Sequence, residues 1–219
     1  MKIKLLVVGV MMVALIAGLQ ADASATITIL ADQAAAQAAG QDGFGDFVAE
    51  LTLTGSQLKI ALDNTTAAQY GGVIVRYDFN NPGNAIQSLT LDSASAGYAD
   101  LNYSVNDSPF GTFDYSVDLR DTPAYPGLGI NDGIVEYIFN VTLNQGKSLT
   151  ELAFTNEYST GGNYSAFFFA RFQSMDERLG SGSDKVPGKT DGGDPVPEPA
   201  TMLLLGPAMF LLGAFRKRS

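Results

Sequence analysis

The sequence predicts an all-β protein whose main part is a single antiparallel β-sandwich or jelly-roll domain. Short segments in which apolar and polar residues alternate recur along the chain, as they do in half-buried strands. Clusters of Gly, Pro, Asn and Asp separate these segments at the spacing typical of sandwiches and jelly rolls. The chain has 219 residues, which leaves room for one such domain once its two unusual ends are set aside.

The clearest predicted element is a hairpin formed by residues 48–54 and 57–63. Both segments alternate, and Gly55 followed by Ser56 is typical of a two-residue turn between strands. This pairing predicts one shared core face, made by Leu51, Leu53, Leu58, Ile60 and Leu62. The other predicted strands are residues 26–30, 72–79, 86–91, 99–105, 112–119, 134–143 and 164–173.

Three further segments of the body have distinctive compositions. Residues 31–39 are rich in Ala and Gln, which favours either a helical turn or a loose loop. Residues 167–169 are three consecutive Phe, which predicts a buried strand rather than a ligand platform. Residues 180–195 are rich in Gly, Ser, Asp and Pro, which is typical of flexible linkers. The sequence therefore predicts a domain over residues 26–179, followed by a linker over residues 180–195.

The composition excludes several kinds of function. The net charge is −10, and five of the 13 basic residues lie in the first four or last four positions, so the body is more acidic than the whole chain. An acidic surface repels phosphate backbones, so we expect no nucleic-acid partner. The chain has no Cys and no His, which removes disulfides, thiolate chemistry, Ser-His-Asp catalysis and the usual zinc sites. We therefore expect a protein that is not an enzyme and needs no cofactor.

Paired carboxylates are one catalytic device that this composition leaves open. Glu136, Glu151 and Glu157 lie on or near predicted strands, and two carboxyl groups that flank a glycosidic bond can hydrolyse it. The chain has no Trp to line an aromatic cleft, which argues against a glycosidase.

The first 25 residues have the pattern of a secretory signal peptide. Lys2 and Lys4 precede an apolar run over residues 5–19. Ala21, Ala23 and Ala25 then supply the small-x-small pattern that signal peptidase accepts. We expect passage through the export translocon and cleavage by signal peptidase in this region. The alternative is an uncleaved N-terminal anchor.

Residues 196–219 have the pattern of a short membrane anchor, in which a proline-rich motif precedes an apolar run over residues 200–215 and a basic cluster. As a helix, this run would span roughly 24 Å, slightly less than the hydrocarbon core of a bilayer. The basic cluster is expected to act as a cytoplasmic stop, by the positive-inside rule. The alternative is a buried helix of the domain. The motif consists of Val196, Pro197, Glu198 and Pro199, and the cluster consists of Arg216, Lys217 and Arg218.

The order of motif, short apolar helix and terminal basic cluster resembles the PEP-CTERM sorting signal of exported proteins in Gram-negative bacteria. The resemblance implies recognition by an exosortase, a membrane-embedded protease or transpeptidase, and cutting near Pro197-Glu198-Pro199. It also implies an inner-membrane-anchored precursor with its body in the periplasm, then a place on the cell surface or in the extracellular matrix. Such proteins are associated with exopolysaccharide and biofilm.

The body also resembles a recurrent type of PEP-CTERM ectodomain. Proteins of this type often carry a His at the position of Arg171, so no role tied to that His is carried over. The resemblance implies a fold and a surface location rather than an activity. The segments that carry it are Leu62-Asp-Asn-Thr-Thr66, Tyr77-Asp-Phe79, Phe110-Gly-Thr-Phe-Asp-Tyr115, Phe169-Ala-Arg-Phe-Gln173 and Ser183-Asp-Lys-Val186.

Clusters of Asp and Asn are the candidate metal ligands. Asp100, Asn102, Asp107 and Asp132 offer the oxygen atoms that Ca²⁺ prefers, although none of them lies in an EF-hand pattern. Asp and Asn are also common turn residues, which is the alternative interpretation. The expected function is that of a non-enzymatic surface or matrix protein. The alternative is a carbohydrate-binding or Ca²⁺-binding surface module.

Overall fold

Thirteen β-strands and two short α-helices make up the part of the chain that the structure describes. The structure is a computed structural model, and it describes residues 25–122, 125–178 and 180–191. The strands are β1 (Thr26–Ala31), β2 (Phe47–Thr54), β3 (Gln57–Asn64), β4 (Gly71–Phe79), β5 (Ile86–Leu91), β6 (Ala99–Asn106), β7 (Thr112–Leu119), β8 (Asp121–Thr122), β9 (Tyr125–Pro126), β10 (Leu128–Gly129), β11 (Val135–Leu143), β12 (Phe168–Met175) and β13 (Ser183–Thr190). The helices are α1 (Gln33–Ala38) and α2 (Glu151–Phe154).

Ten of these strands form one continuous sheet in the order β5-β11-β3-β2-β1-β13-β12-β4-β7-β6, and β10 pairs with β4 beside this path. The neighbouring strands along this path are antiparallel. The sheet curls until its end strands approach each other, and the Tyr103 hydroxyl on β6 donates to the Leu89 carbonyl oxygen on β5 at 2.7 Å. The prediction of an antiparallel all-β protein is therefore confirmed. The ten strands on this path form a single, nearly closed, barrel-like sheet.

The main core lies inside this sheet and joins opposite walls. Tyr77 on β4 packs against Tyr137 on β11, with ring centroids 5.3 Å apart. Phe79, two residues further along β4, meets Phe139 at 6.0 Å. Aromatic pairs at such distances add to the free energy gained by burying their area. These contacts connect strands that are distant in the order of the sheet.

The predicted hairpin is confirmed as β2 and β3. Leu51 pairs with Ile60 and Leu53 with Leu58, and residues 55 and 56 form the turn. Four of the five residues predicted for the core face are fully buried, and Leu53 is partly buried against the same core. The alternation decides this register because a slip of one residue would turn the apolar side chains to the solvent.

Most of the other strand predictions are also confirmed. Those at residues 26–30, 72–79, 86–91, 99–105, 112–119 and 134–143 match observed strands to within one residue at each end. The strand predicted at residues 164–173 is displaced, since β12 begins at Phe168. The residues before it form a loop whose Tyr164 backbone N–H donates to the Pro109 carbonyl oxygen. That tertiary contact takes residue 164 out of the sheet.

Strand β12 is buried on both faces, which explains the run of three Phe. Phe168 and Phe172 face the main core, whereas Phe169 packs with Phe110 and Phe113 in a second apolar cluster. The rings of Phe113 and Phe169 stack with centroids 5.7 Å apart. The prediction that residues 167–169 are buried is confirmed.

The Ala-rich segment forms the helix α1 rather than a loose loop. Asp32 caps it, because its Oδ1 accepts a hydrogen bond from the Ala35 backbone N–H at 3.1 Å. Within the described ranges, no helix is long and apolar enough to span a bilayer. The apolar run predicted as a membrane helix lies outside those ranges, as do the residues before Ala25 that are predicted to form a signal peptide.

The predicted linker over residues 180–195 is wrong for residues 183–190, which form β13. This strand lies between β1 and β12, and Asp184 and Val186 on it are fully buried. Its Gly, Pro and Lys residues weaken the intrinsic preference for a strand. Hydrogen-bonded neighbours on both sides and the buried Asp184 override that preference. The described body therefore extends to Asp191.

Candidate functional site

The most strongly perturbed polar groups form a carboxylate cluster, defined here as Arg76, Asp78, Asp107, Asp118 and Lys185. Asp78 is 0% exposed and Asp107 is 3% exposed. Arg76 bridges two carboxylates, since its Nη1 lies 3.0 Å from Asp107 Oδ2 and its Nε lies 2.6 Å from Asp118 Oδ1. The Nζ of Lys185 lies 3.3 Å from Asp107 Oδ1. Strand pairing builds the cluster, because Arg76 and Asp118 stand opposite each other on β4 and β7.

Asp78 and Asp107 have opposite pKa shifts. Burial raises the pKa of Asp78 well above its usual range. Burial also opposes ionisation of Asp107, but the hydrogen bond with Asp78 and the charges of Arg76 and Lys185 outweigh it, so the pKa of Asp107 is lowered. Within the described chain, neither oxygen of an ionised Asp78 accepts a hydrogen bond, and the hydroxyl of the adjacent Ser116 makes none. The pair is therefore suited to hold one proton on Asp78, which can donate to the ionised Asp107.

Arg171 extends this cluster across the sheet. It stands in register between Arg76 on β4 and Lys185 on β13. Arg171 makes no ion pair with any residue that the structure describes, whereas both neighbours share Asp107. This position of the sheet therefore holds a permanent positive charge.

Three other residues in the sequence segments singled out above also have structural roles. Gly111 permits a close approach of two backbones, because a Cβ there would lie 2.4 Å from the Thr160 carbonyl oxygen. Asp114 accepts a hydrogen bond from the Asn81 backbone N–H at 2.8 Å. Asn64 donates from Nδ2 to the Leu128 carbonyl oxygen, also at 2.8 Å. These residues hold loops against strands.

Asp184 has the most extensive role of this kind. Its Oδ2 accepts hydrogen bonds from the Phe44 and Gly45 backbone N–H groups at 2.7 and 2.9 Å. Its Oδ1 accepts from Gly43 N–H at 3.2 Å and from its neighbour Lys185 at 2.9 Å. One buried carboxylate thus fixes the loop that leads into β2, through residues more than a hundred positions away in sequence.

Replacing Asp184 with Ala is expected to lower the free energy of unfolding by about 3–5 kcal/mol, because buried N–H groups lose a charged acceptor. Urea unfolding followed by circular dichroism measures this change. Asp191→Ala is the matched control, since Asp191 is an exposed residue just after the same strand. Equal midpoints for the two variants would show that the loop does not depend on the carboxylate.

The candidate Ca²⁺ ligands are engaged with protein donors. Arg120 binds Asp100 through two nitrogens, at 2.7 and 2.9 Å. Asn102 donates to Asp118 at 2.8 Å, and Asp132 accepts from the Gly129 N–H at 2.6 Å. Asp107 belongs to the carboxylate cluster. In the described ranges, no group of three or more acidic side chains is placed to hold a metal ion.

The three candidate glutamates also have separate partners. Glu136 pairs with Lys59 at 2.9 Å. Glu151 accepts a hydrogen bond from the Leu53 N–H at 3.0 Å, and Glu157 accepts from the Gly83 N–H at 2.9 Å. Each carboxylate therefore stabilises a different strand or loop.

A polar cleft is the feature that sequence reasoning missed. It has a volume of about 580 Å³ and lies where the loop before β12 meets the end of β13 and the start of α1. Tyr158 and Tyr164 are 50% and 42% exposed, and both line it. The only signal in the sequence was a pair of Tyr residues in a Gly-, Ser- and Asn-rich segment. We call this feature the tyrosine cleft; its polar and aromatic lining includes Asp32, Tyr158, Asn163, Tyr164, Ser165 and Lys189.

A second cavity, also of about 580 Å³, opens beside β10 and the start of β11. Tyr98, Arg120, Asp132 and Tyr137 contribute to its lining. Burial raises the pKa of Tyr137 above its usual value, so this hydroxyl stays protonated. Asp132, which the sequence offered as a candidate Ca²⁺ ligand, therefore lines the same cavity as Arg120.

Compared with protein families, with curated proteins and with solved structures, the chain shows no significant match.

Proposed function

We propose that this chain is a non-enzymatic, exported protein of the cell surface or extracellular matrix. In this proposal an exosortase recognises residues 196–219 as a unit and cuts near Pro197-Glu198-Pro199. The observation that carries the proposal is the complete order of motif, short apolar run and basic cluster at the C-terminus, combined with a signal-peptide pattern at the N-terminus.

The arrangement of the body supports this proposal. Strand β1 begins at Thr26, directly after the predicted signal-peptidase region. Thr190, near the end of the described body, pairs with Ile29 on β1. The first and last long strands of the described body therefore lie side by side in the sheet.

The polar interior supports a structural role rather than a catalytic one. Asp184, Asp107 and Glu151, which are buried, all accept hydrogen bonds from other parts of the chain. We further propose that the nearly closed sheet is a flattened, jelly-roll-like sandwich. The contacts between β4 and β11 across the core support this finer description.

Replacing Glu198 with Ala is expected to block processing and leave membrane insertion intact. The change removes the charge of the motif, while the apolar run and the prolines that keep the motif extended remain. The measurement is mass spectrometry of the mature C-terminus in a host that has an exosortase. We expect wild-type protein that ends near the motif, and a Glu198→Ala precursor that keeps Ser219 and accumulates in the membrane.

Two controls sharpen this test. Asp194→Ala removes a nearby acidic charge outside the motif and should be processed like the wild type. Replacing Arg216, Lys217 and Arg218 together should instead lower membrane retention, since these residues hold the run at the inner face. An intact Ser219 in most of the wild-type protein would defeat the sorting proposal and leave a plain single-pass anchor.

A further inference from the structure

The tyrosine cleft has rigid walls. Thr160 and Thr112 exchange backbone hydrogen bonds of 2.7 and 3.1 Å, which fix the loop onto β7. The Ser159 hydroxyl donates to the Phe110 carbonyl oxygen at 2.5 Å and accepts from the Ala166 N–H at 3.0 Å. A loop held at this many points presents its side chains without a large entropic cost on binding.

The two tyrosines are held by their neighbours and still present aromatic surface. The ring of Tyr158 packs against Phe167 at 5.7 Å and an interplanar angle of 88°. The hydroxyl of Tyr164 donates to the Ala38 carbonyl oxygen, and its ring contacts Phe110 at 6.4 Å. About half of the surface of each tyrosine remains open to the cleft and the solvent. Aromatic surface held in place in this way offers a platform for an apolar ligand face.

Hydrogen-bonding groups surround this platform. The side chains of Asn163, Ser165 and Lys189 make no hydrogen bond with any other described residue, so their donors and acceptors are available. Asp32 uses Oδ1 to cap α1, which leaves Oδ2 for a ligand. The charged lining residues are one carboxylate, Asp32, and one ammonium group, Lys189, so the cleft has no net charge.

We propose that the tyrosine cleft binds a neutral saccharide. A sugar ring has an apolar C–H face that suits the tyrosines and a rim of hydroxyls that suits the amide, hydroxyl and charged groups. The volume of about 580 Å³ lies within the range of small-ligand sites. A balanced lining and a chain with a net charge of −10 disfavour an acidic sugar. This inference does not depend on sorting by an exosortase.

The test uses the exported chain with its C-terminal segment intact, produced in a host without an exosortase, so a failure of sorting cannot affect the result. The protein is kept in a detergent that has no sugar headgroup, because such a headgroup would compete for the cleft. An array of neutral oligosaccharides, comprising glucans, mannans and galactans, is the probe, and a set of uronate oligosaccharides is the comparison. Isothermal titration then measures the affinity of each ligand that binds.

We expect saturable binding to at least one neutral oligosaccharide. Tyr158→Ala and Asn163→Ala should each weaken it by about tenfold, a loss of the size expected for one good contact. Tyr158→Phe should bind like the wild type, because the ring supplies the contact. Leu152→Ala is the control, since Leu152 is an exposed apolar residue outside the cleft.

Melting temperatures of the variants show whether each one is folded, and Asn163→Ala, at an exposed loop residue, provides a second test that does not depend on tolerance of the Tyr158→Ala change. The absence of saturable binding to any neutral oligosaccharide would overturn the proposal. Tighter binding of uronates than of neutral sugars would do the same, as would binding that Tyr158→Ala leaves unchanged.

Discussion

A chain that ends at Gly182 is expected not to fold, whereas a chain that ends at Asp191 should fold like the complete body. The first truncation removes β13, which pairs with β1 on one side and β12 on the other. It would open the continuous sheet in its middle and expose two new strand edges, which favour aggregation. The second truncation removes only residues that follow the described body.

The free energy of folding that is lost with β13 is expected to be large compared with the stability of a domain. Val186 is fully buried, and side chains of this kind contribute about 1.5–3 kcal/mol each. The contacts of Asp184 add about 3–5 kcal/mol. Unpaired backbone groups on β1 and β12 add more. These terms together are a large part of the roughly 5–15 kcal/mol that stabilises a typical domain.

Far-UV circular dichroism and thermal unfolding of two chains that begin at Ala25 measure this effect. We expect a cooperative transition for the chain that ends at Asp191 and none for the shorter chain. Similar spectra and similar melting temperatures for both would mean that residues 183–190 act as a linker, as their composition first indicated.

Replacing Asp107 with Asn and replacing Asp78 with Asn are expected to have opposite effects on stability. Asp107→Asn removes the ionised partner of Arg76 and Lys185. The free energy of unfolding is expected to fall by about 3 kcal/mol or more. Asp78→Asn replaces a buried acid, whose pKa is raised by burial, with a neutral group of the same shape. This variant should be as stable as the wild type in acid and more stable at neutral pH.

The pH dependence follows from the directions of the two pKa shifts. The pKa of Asp78 is raised in the folded state, so its contribution to stability is present below its unfolded pKa and is lost as the pH rises through the folded pKa. This loss amounts to about 1.4 kcal/mol per pH unit in that interval. The pKa of Asp107 is lowered, so its contribution is present above its unfolded pKa and is lost as the pH falls through the folded pKa. Asp78→Asn should therefore remove the decline on the alkaline side and keep the decline in acid.

Urea unfolding of the wild type and both variants between pH 3 and pH 9 tests these expectations. The free energy of unfolding of Asp78→Asn should change less above pH 4 than that of the wild type. Parallel curves for these two proteins would show that Asp78 is ionised in the folded state. Unchanged stability of Asp107→Asn would show that Asp118 alone satisfies Arg76.

The residues that were assigned correctly from sequence have one feature in common, which is that local pattern and burial agree. Residues 47–64 alternate because one face of the hairpin is buried and the other faces outward, so the period of two also specifies the register. The tyrosine cleft was missed because Asp32, Tyr158 and Lys189 are far apart in sequence and only the packing of the loop brings them together. The carboxylate cluster was missed for the same reason, although an Asp between Tyr77 and Phe79 in an apolar strand was a visible signal.

The sequence by itself determined the antiparallel all-β class, most strand positions and the hairpin register, because alternation and turn residues act over a few positions of the chain. The signal peptide and the sorting signal at the two ends are inferred from the sequence alone, and both remain predictions. Only the tertiary structure decided that residues 183–190 form a central strand, that Asp78 and Asp107 are both buried, and that two tyrosines line a cleft. Each of these depends on groups that are distant in sequence, and a buried carboxylate or a strand of weak propensity is stabilised by its neighbours in space.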